Sequence, residues 1–215
     1  NTVESLRGQA LAVDARASGF VFILEKLLRS KGFTAADYDF VEVGGWEKRY
    51  DALLEGRFAG TLLTPPFVGN ALARGCHLLA RGDEIVPCYQ ATGGAAKRSW
   101  AEQHRDVLIA YIRAYIEATR WCFEPRNRPQ CLELLGTHNG IEGAAAEHTL
   151  DALLDPGYGI YPDAALNLPG VEAALDLRAE MGFLERPVPA VEKYVDLSYY
   201  RQAVGDQRSG TKSLV

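Results

Sequence analysis

Apolar residues between Ala10 and Phe67 fall into three short runs, each closed by a glycine- or proline-marked turn. The first run, Ala10 to Asp14, ends in Ala15-Arg16-Ala17-Ser18-Gly19-Phe20. The second, Tyr38 to Val43, ends in Gly44-Gly45-Trp46. The third, Ala59 to Leu63, ends in Thr64-Pro65-Pro66-Phe67. Between them, Phe20, Ile23, Leu24, Leu27 and Leu28 repeat at helical spacing, and so do Tyr50, Leu53 and Leu54. Ser18 is placed to cap the first helix, Gly32 to stop it, and Gly56 to end the second. Strand, helix, strand, helix, strand predicts a parallel α/β unit. In such a sheet ligands sit beyond the carboxyl ends of the strands, where all three turns lie.

The pattern changes after Phe67. A short helix is predicted to Ala73, a strand over Cys76 to Ala80, and an edge strand over Ile85 to Gln90, interrupted by Pro87. Ser99 to Glu102 has capping-box spacing. Val107, Leu108, Tyr111, Ala114, Tyr115 and Ala118 form a strong helical stripe lasting to about Phe123. Short helices are predicted over Gln130 to Leu135, Gly143 to Leu154, Val171 to Met181 and Asp196 to Val204, with a polar tail from Gly205. Pro156 to Pro169 reads as a long loop. Residues 1–95 are thus expected to be an α/β lobe and 96–215 a mostly helical part.

Composition narrows the class. The chain has 215 residues, 47% apolar and 24% charged, an ordinary globular balance. A net charge of -5 without a Lys/Arg cluster argues against nucleic acid as a partner. No run reaches the roughly 18 apolar residues of a membrane span. Asn1-Thr2-Val3-Glu4 has neither the basic start nor the apolar core of a secretory signal. A start at Asn rather than Met implies a processed or trimmed product, so a removed export signal stays open.

Candidate chemistry is sparse. The Ser18-Gly19 turn offers main-chain amides and a hydroxyl at a helix start, which suits an anion or makes a plain cap. Gly44-Gly45 lets backbone approach a ligand, or makes a tight turn. Trp46 is placed to stack on a ligand or to join the core. Thr64-Pro65-Pro66 is a rigid segment that suits a hinge or a cleft wall. Asp14 ends the first strand, where it caps a turn or touches ligand. His77, in an apolar run, reads as a core or edge residue. His104, His138 and His148 lack metal-ligand spacing, and no nucleophile is assembled with a base. Cys76, Cys88, Cys122 and Cys131 form no C-x-x-C pair. Two disulfides or four separate thiols both fit, and Cys122 and Cys131 flank a turn at Pro125 to Pro129 that could bring them close.

The stretches Ser5 to Leu28, Val41 to Phe67, His104 to Pro125, Leu153 to Gly182 and Tyr194 to Val204, in this order and spacing, resemble one family. It is the substrate-binding proteins of ABC transporters in the nitrate/sulfonate/taurine and thiamine-pyrimidine group, which have the type II periplasmic-binding fold. Gln9 stands where that family usually has lysine. The resemblance implies that Ala17, Ser18, Gly19, Phe20, Gly44, Gly45, Trp46, Thr64, Pro65 and Pro66 line a cleft between two lobes. It implies a monomeric solute-binding protein outside the cytoplasm, without cofactor or metal, that delivers a small anionic or polar ligand to an ABC permease. It also implies a first lobe built mostly from a long preceding segment, so the sequence is expected to be a partial chain. Two rivals share the fold. A thiamine-pyrimidine synthase-like or decarboxylase-like enzyme would need a reactive histidine or a metal cluster in the cleft, and the cysteine-rich motif of the pyrimidine-making relatives is not present. A ligand-sensing regulatory domain would end sooner than this helical tail does.

Overall fold

The computed structural model describes residues 2–210. Three strands, β1 (Gln9–Val13), β2 (Tyr38–Glu42) and β3 (Gly60–Thr61), form a parallel sheet in the order β2-β1-β3. Leu11 pairs with Phe40 on one side and Gly60 on the other. Helix α1 (Gly19–Ser30) links β1 to β2, and α2 (Trp46–Leu54) links β2 to β3. The chain therefore has the α/β class expected of it. The third strand is shorter than its apolar run, two residues of it pairing with β1.

Helix α1 is buried on two sides. Val21, Leu24 and Leu28 join Leu11, Val13, Phe33 and Phe40 over the sheet. Phe22 and Ile23 meet Val86 and Leu177 on the far side. Ser18 caps the helix, its Oγ accepting from the Val21 amide at 3.1 Å, and Gly32 follows its end with φ +74°.

Helices follow the α/β unit: α3 (Phe67–Ala73), α4 (Gly82–Ile85), α5 (Arg98–Gln103), α6 (Arg105–Phe123), α7 (Arg128–Asn139) and α8 (Gly143–Leu153). Two more, α9 (Leu168–Glu180) and α10 (Ser198–Gly210), complete the described chain, α9 packing on α1 and α10 on α6. The expected polar tail begins inside α10 at Gly205 and otherwise lies outside the described residues.

Several expectations are corrected. Cys76 to Ala80 is irregular rather than a strand, and His77 and Leu78 are exposed. The Ile85 to Gln90 stretch is the end of α4 followed by irregular chain. Neither stretch pairs with β2 or β3, the two edge strands, and an apolar run without a partner strand makes no ladder. Ser99 sits inside α5, whose cap position is Lys97, so no capping box forms. In α2 the buried positions are Arg49 and Ala52, while Tyr50, Leu53 and Leu54 are half-buried. Helix α6 carries a second apolar face that the stripe read from sequence does not include. Its buried face is Ile109, Ile116 and Thr119, packed with Tyr199 and Ala203. The stripe read from sequence lies on the outside: Val107, Tyr111 and Tyr115 are 58%, 65% and 52% exposed.

All four cysteines are free thiols. Cys122 and Cys131 are neighbours, and burial together with the Cys122 thiol pushes Cys131 up to about 11.

Candidate functional site

Parallel pairing brings the three turns to one end of the sheet. The ladder continues past the strands, with the Val43 and Gly44 amides both donating to the Val13 carbonyl, at 2.8 and 3.3 Å. This sets the Ser18 turn beside the Gly44 turn. Gly44 has φ +97°, a left-handed backbone that a side chain would strain. On the other side Thr61 Oγ1 donates to the Ala12 carbonyl at 2.8 Å, holding the third segment against β1.

The first turn starts α1. Ser18 Oγ donates to Asp14 Oδ1 at 2.6 Å while it accepts from Val21, so its hydroxyl is engaged on both sides. The groups left over in this turn are main-chain amides at Gly19 and Phe20, which have no acceptor within their own helix. Ala17 is exposed beside them. Arg16, the nearest flexible cation, points the other way, donating to the Phe40 carbonyl at 2.5 Å and pairing with Asp39 at 3.5 Å. Replacing Ser18 by alanine removes the cap and the Asp14 contact. A loss of about 1 kcal/mol in chemical denaturation is expected, and an unchanged midpoint would contradict the cap.

The second turn starts α2. Phe20 and Trp46 meet edge to face, ring centroids 5.0 Å apart, which ties the first turn to the second. Arg49 ties the second to the third. Its Nε donates to the Gly44 carbonyl at 2.9 Å and its Nη1 to the Leu62 carbonyl at 2.7 Å. The guanidinium also lies 4.3 Å from the Trp46 ring centroid. Thr64, Pro65 and Pro66 are half-buried in the third segment, with a cis Pro65–Pro66 bond, and run into α3. All ten residues named from the sequence thus lie on three adjoining turns, Ala17 at the margin.

Two contributors were missed. Arg49 is fully buried, whereas a charged residue in an amphipathic pattern reads as solvent-facing. Tyr89 arrives from the irregular segment after α4, and its hydroxyl presses on the first turn. A Cβ on Gly19 would stand 2.2 Å from Tyr89 Oη, so a side chain there would displace the tyrosine hydroxyl. Burial pushes the Tyr89 hydroxyl above its usual range. No local signal marks this pairing in the sequence.

The wall is open. Grooves of about 450 and 390 Å³ lie elsewhere, one between α7 and α8 among Glu133, Glu142 and Glu147, the other beside Leu27 and Leu79. Among the described residues no group of three His, Cys, Asp or Glu could hold a metal ion. No helix among them is long and apolar enough to cross a membrane.

A family model described as the NMT1-like family matches residues 2–136, well over half of the chain. The chain belongs to the NMT1-like family. Solved structures share its fold. A ligand-binding component of an ABC-type import system from Staphylococcus aureus, with zinc bound, is 19% identical. The match covers 91% of this chain and 63% of that one, with a TM-score of 0.69. The alkanesulfonate-binding protein SsuA from Xanthomonas axonopodis pv. citri, bound to MOPS, is 21% identical over 87% of this chain and 63% of its own, at TM-score 0.67. A periplasmic sulfonate-binding protein from Methylobacillus flagellatus KT is 15% identical, with 96% and 62% coverage and a TM-score of 0.60. The fold of this NMT1-like chain is therefore that of periplasmic ligand-binding components of ABC transporters, and it spans less than two thirds of these neighbours' length. No curated protein sequence matches the chain.

Proposed function

We propose that this NMT1-like chain is part of a solute-binding protein that captures a small anionic or polar organic ligand for uptake through an ABC permease. The observation that carries the reading is the junction of three turns at the carboxyl ends of the sheet. Two helix starts, at Gly19 and Trp46, open on the same end, where free amides and the helix dipoles favour negative charge. Phe20 and Trp46 add apolar walls. The ligand-contacting set is Ala17, Ser18, Gly19, Phe20, Gly44, Gly45, Trp46, Thr64, Pro65 and Pro66, with the Ser18 hydroxyl acting through Asp14 and the cap.

In this reading residues 1–95 form the second lobe of a two-lobed binding protein, and the outer face of 96–215 packs on a first lobe supplied by further polypeptide, while α8 and α9 pack on the second. The exposed face of α6 supports this, since an apolar stripe of that length calls for a cover. Ligand closes the two lobes by binding the closed form better than the open one. The role is one of binding without covalent chemistry, as a monomer outside the cytoplasm. Membership in the NMT1-like family and neighbours that are import components support it.

A thermal-shift screen with alkanesulfonates, nitrate, pyrimidines and aromatic acids tests it. A true ligand stabilises by a margin that keeps growing above saturation, about 2.7 kcal/mol at a hundred times Kd. Turnover of any compound in the screen would replace binding with catalysis.

A further inference from the structure

The turns after β2 and β3 are joined by a buried cation. Arg49 is 1% exposed and among the largest fully buried side chains of the molecule. Among the described residues no carboxylate forms an ion pair with it. Burial pulls its pKa down, and the Asp14 charge opposes that pull without contact. A buried guanidinium that lacks a paired carboxylate is costly, and an apolar side chain of similar volume would fill the space at less cost. What an apolar side chain could not do is reach two carbonyls on different turns at once. The planar fork of arginine does so, at Gly44 and Leu62, and its face rests on Trp46.

We propose that Arg49 is the positioning residue of this wall: it clamps the second turn to the third and fixes the Trp46 indole for the ligand. The proposal rests on the ligand reading above. Trp46 is in turn braced by the Phe20 ring from the first turn, so one side chain sets the spacing of all three. The cation sits in the first turns of α2, where the helix dipole is already positive. The Gly45 and Trp46 amides and the Arg49 charge thus meet at the start of α2, with Glu47 the acidic residue of that turn, and in this proposal they receive the anionic end of a ligand.

The test uses the chain with Trp100→Phe and Trp121→Phe, both half-exposed positions, leaving Trp46 as the single indole. Arg49→Lys and Arg49→Met are compared in that background, well below the Tm of each. Both are expected to shorten the anisotropy decay of Trp46, and to raise its quenching by neutral acrylamide by about twofold or more, because neither reproduces the fork. Unchanged anisotropy and quenching in a folded variant, with only a lower Tm, would make Arg49 a stability residue and overturn the clamp. If Arg49→Met fails to fold, Arg49→Lys decides alone. Titrating the unsubstituted background with sodium methanesulfonate, against dimethyl sulfone as the uncharged analogue, is read separately. Silence to both counts against an alkanesulfonate as the ligand, while the anisotropy and quenching still decide for or against the clamp.

Discussion

Phe22→Ala is expected to cost about 3–5 kcal/mol, seen as a lower denaturation midpoint with an unchanged slope. The ring is 1% exposed and joins α1 to the helical part of the molecule. It contacts Ile23, Val86 and Leu177, lies 4.9 Å from the Phe183 ring, and has the Arg178 guanidinium 5.7 Å from its centroid. Deleting it leaves a cavity at the seam between the sheet layer and α9. These neighbours come from three separate segments, so none can close the void without disturbing another. A loss under about 1 kcal/mol would mean that the seam collapses freely and that the two parts are loosely joined.

Gly170→Ala is expected to destabilise by about 2–3 kcal/mol through overpacking, even though alanine is the better helix former by about 1 kcal/mol. A Cβ at this position would stand 2.0 Å from the Cys88 carbonyl oxygen and 2.9 Å from the Gln90 amide nitrogen. Both are backbone atoms of a segment held in place. Gln90 N–H donates to the Gly170 carbonyl at 3.1 Å, and the Asn167 amide donates to Gln90 Oε1 at 3.0 Å. Between them Tyr89 reaches Gly19. Moving the segment therefore loosens the start of α1 as well, and faster amide exchange at Phe22 and Ile23 should accompany the lost stability. A variant as stable as the parent, with unchanged exchange there, would show that the segment shifts without resistance.

The part of the molecule legible from sequence is the part whose signals are local. The β1-α1-β2-α2-β3 unit follows from period and punctuation: Ser18 caps, Gly32 stops, and Gly44 supplies a left-handed turn. The ten candidates lie on adjoining turns because parallel sheets place their turns at one end. What was not legible depends on partners far along the chain. Helix α6 carries two apolar stripes, and nothing local says that Ile109 and Ile116 face α10 while Tyr111 and Tyr115 face out. Cys76 to Ala80 is apolar enough for a strand, but pairing needs a free sheet edge in the right place. Arg49 looks like a surface residue of α2 until the Gly44 and Leu62 carbonyls are seen to converge on it. Tyr89 and Gly19 are joined only in space.

The electrostatics of the wall separate ligand classes. In the proposed reading, Arg49 and two helix starts favour an anionic group, while the Asp14 carboxylate beside Ser18 and Glu47 in the first turn of α2 disfavour a second one nearby. The arrangement suits a ligand with one negative end and an apolar or cationic remainder better than a small multiply charged ion. In a titration this ordering predicts that an alkanesulfonate outcompetes sulfate.

The most direct measurement is a two-dimensional amide NMR titration with the compound that stabilises the protein most. The account predicts that the Ser18, Gly19, Gly44, Gly45 and Trp46 amides shift together along one saturation curve, and that the Trp46 indole follows them. Shifts confined to the groove between α7 and α8, with the three turns unmoved, would contradict it.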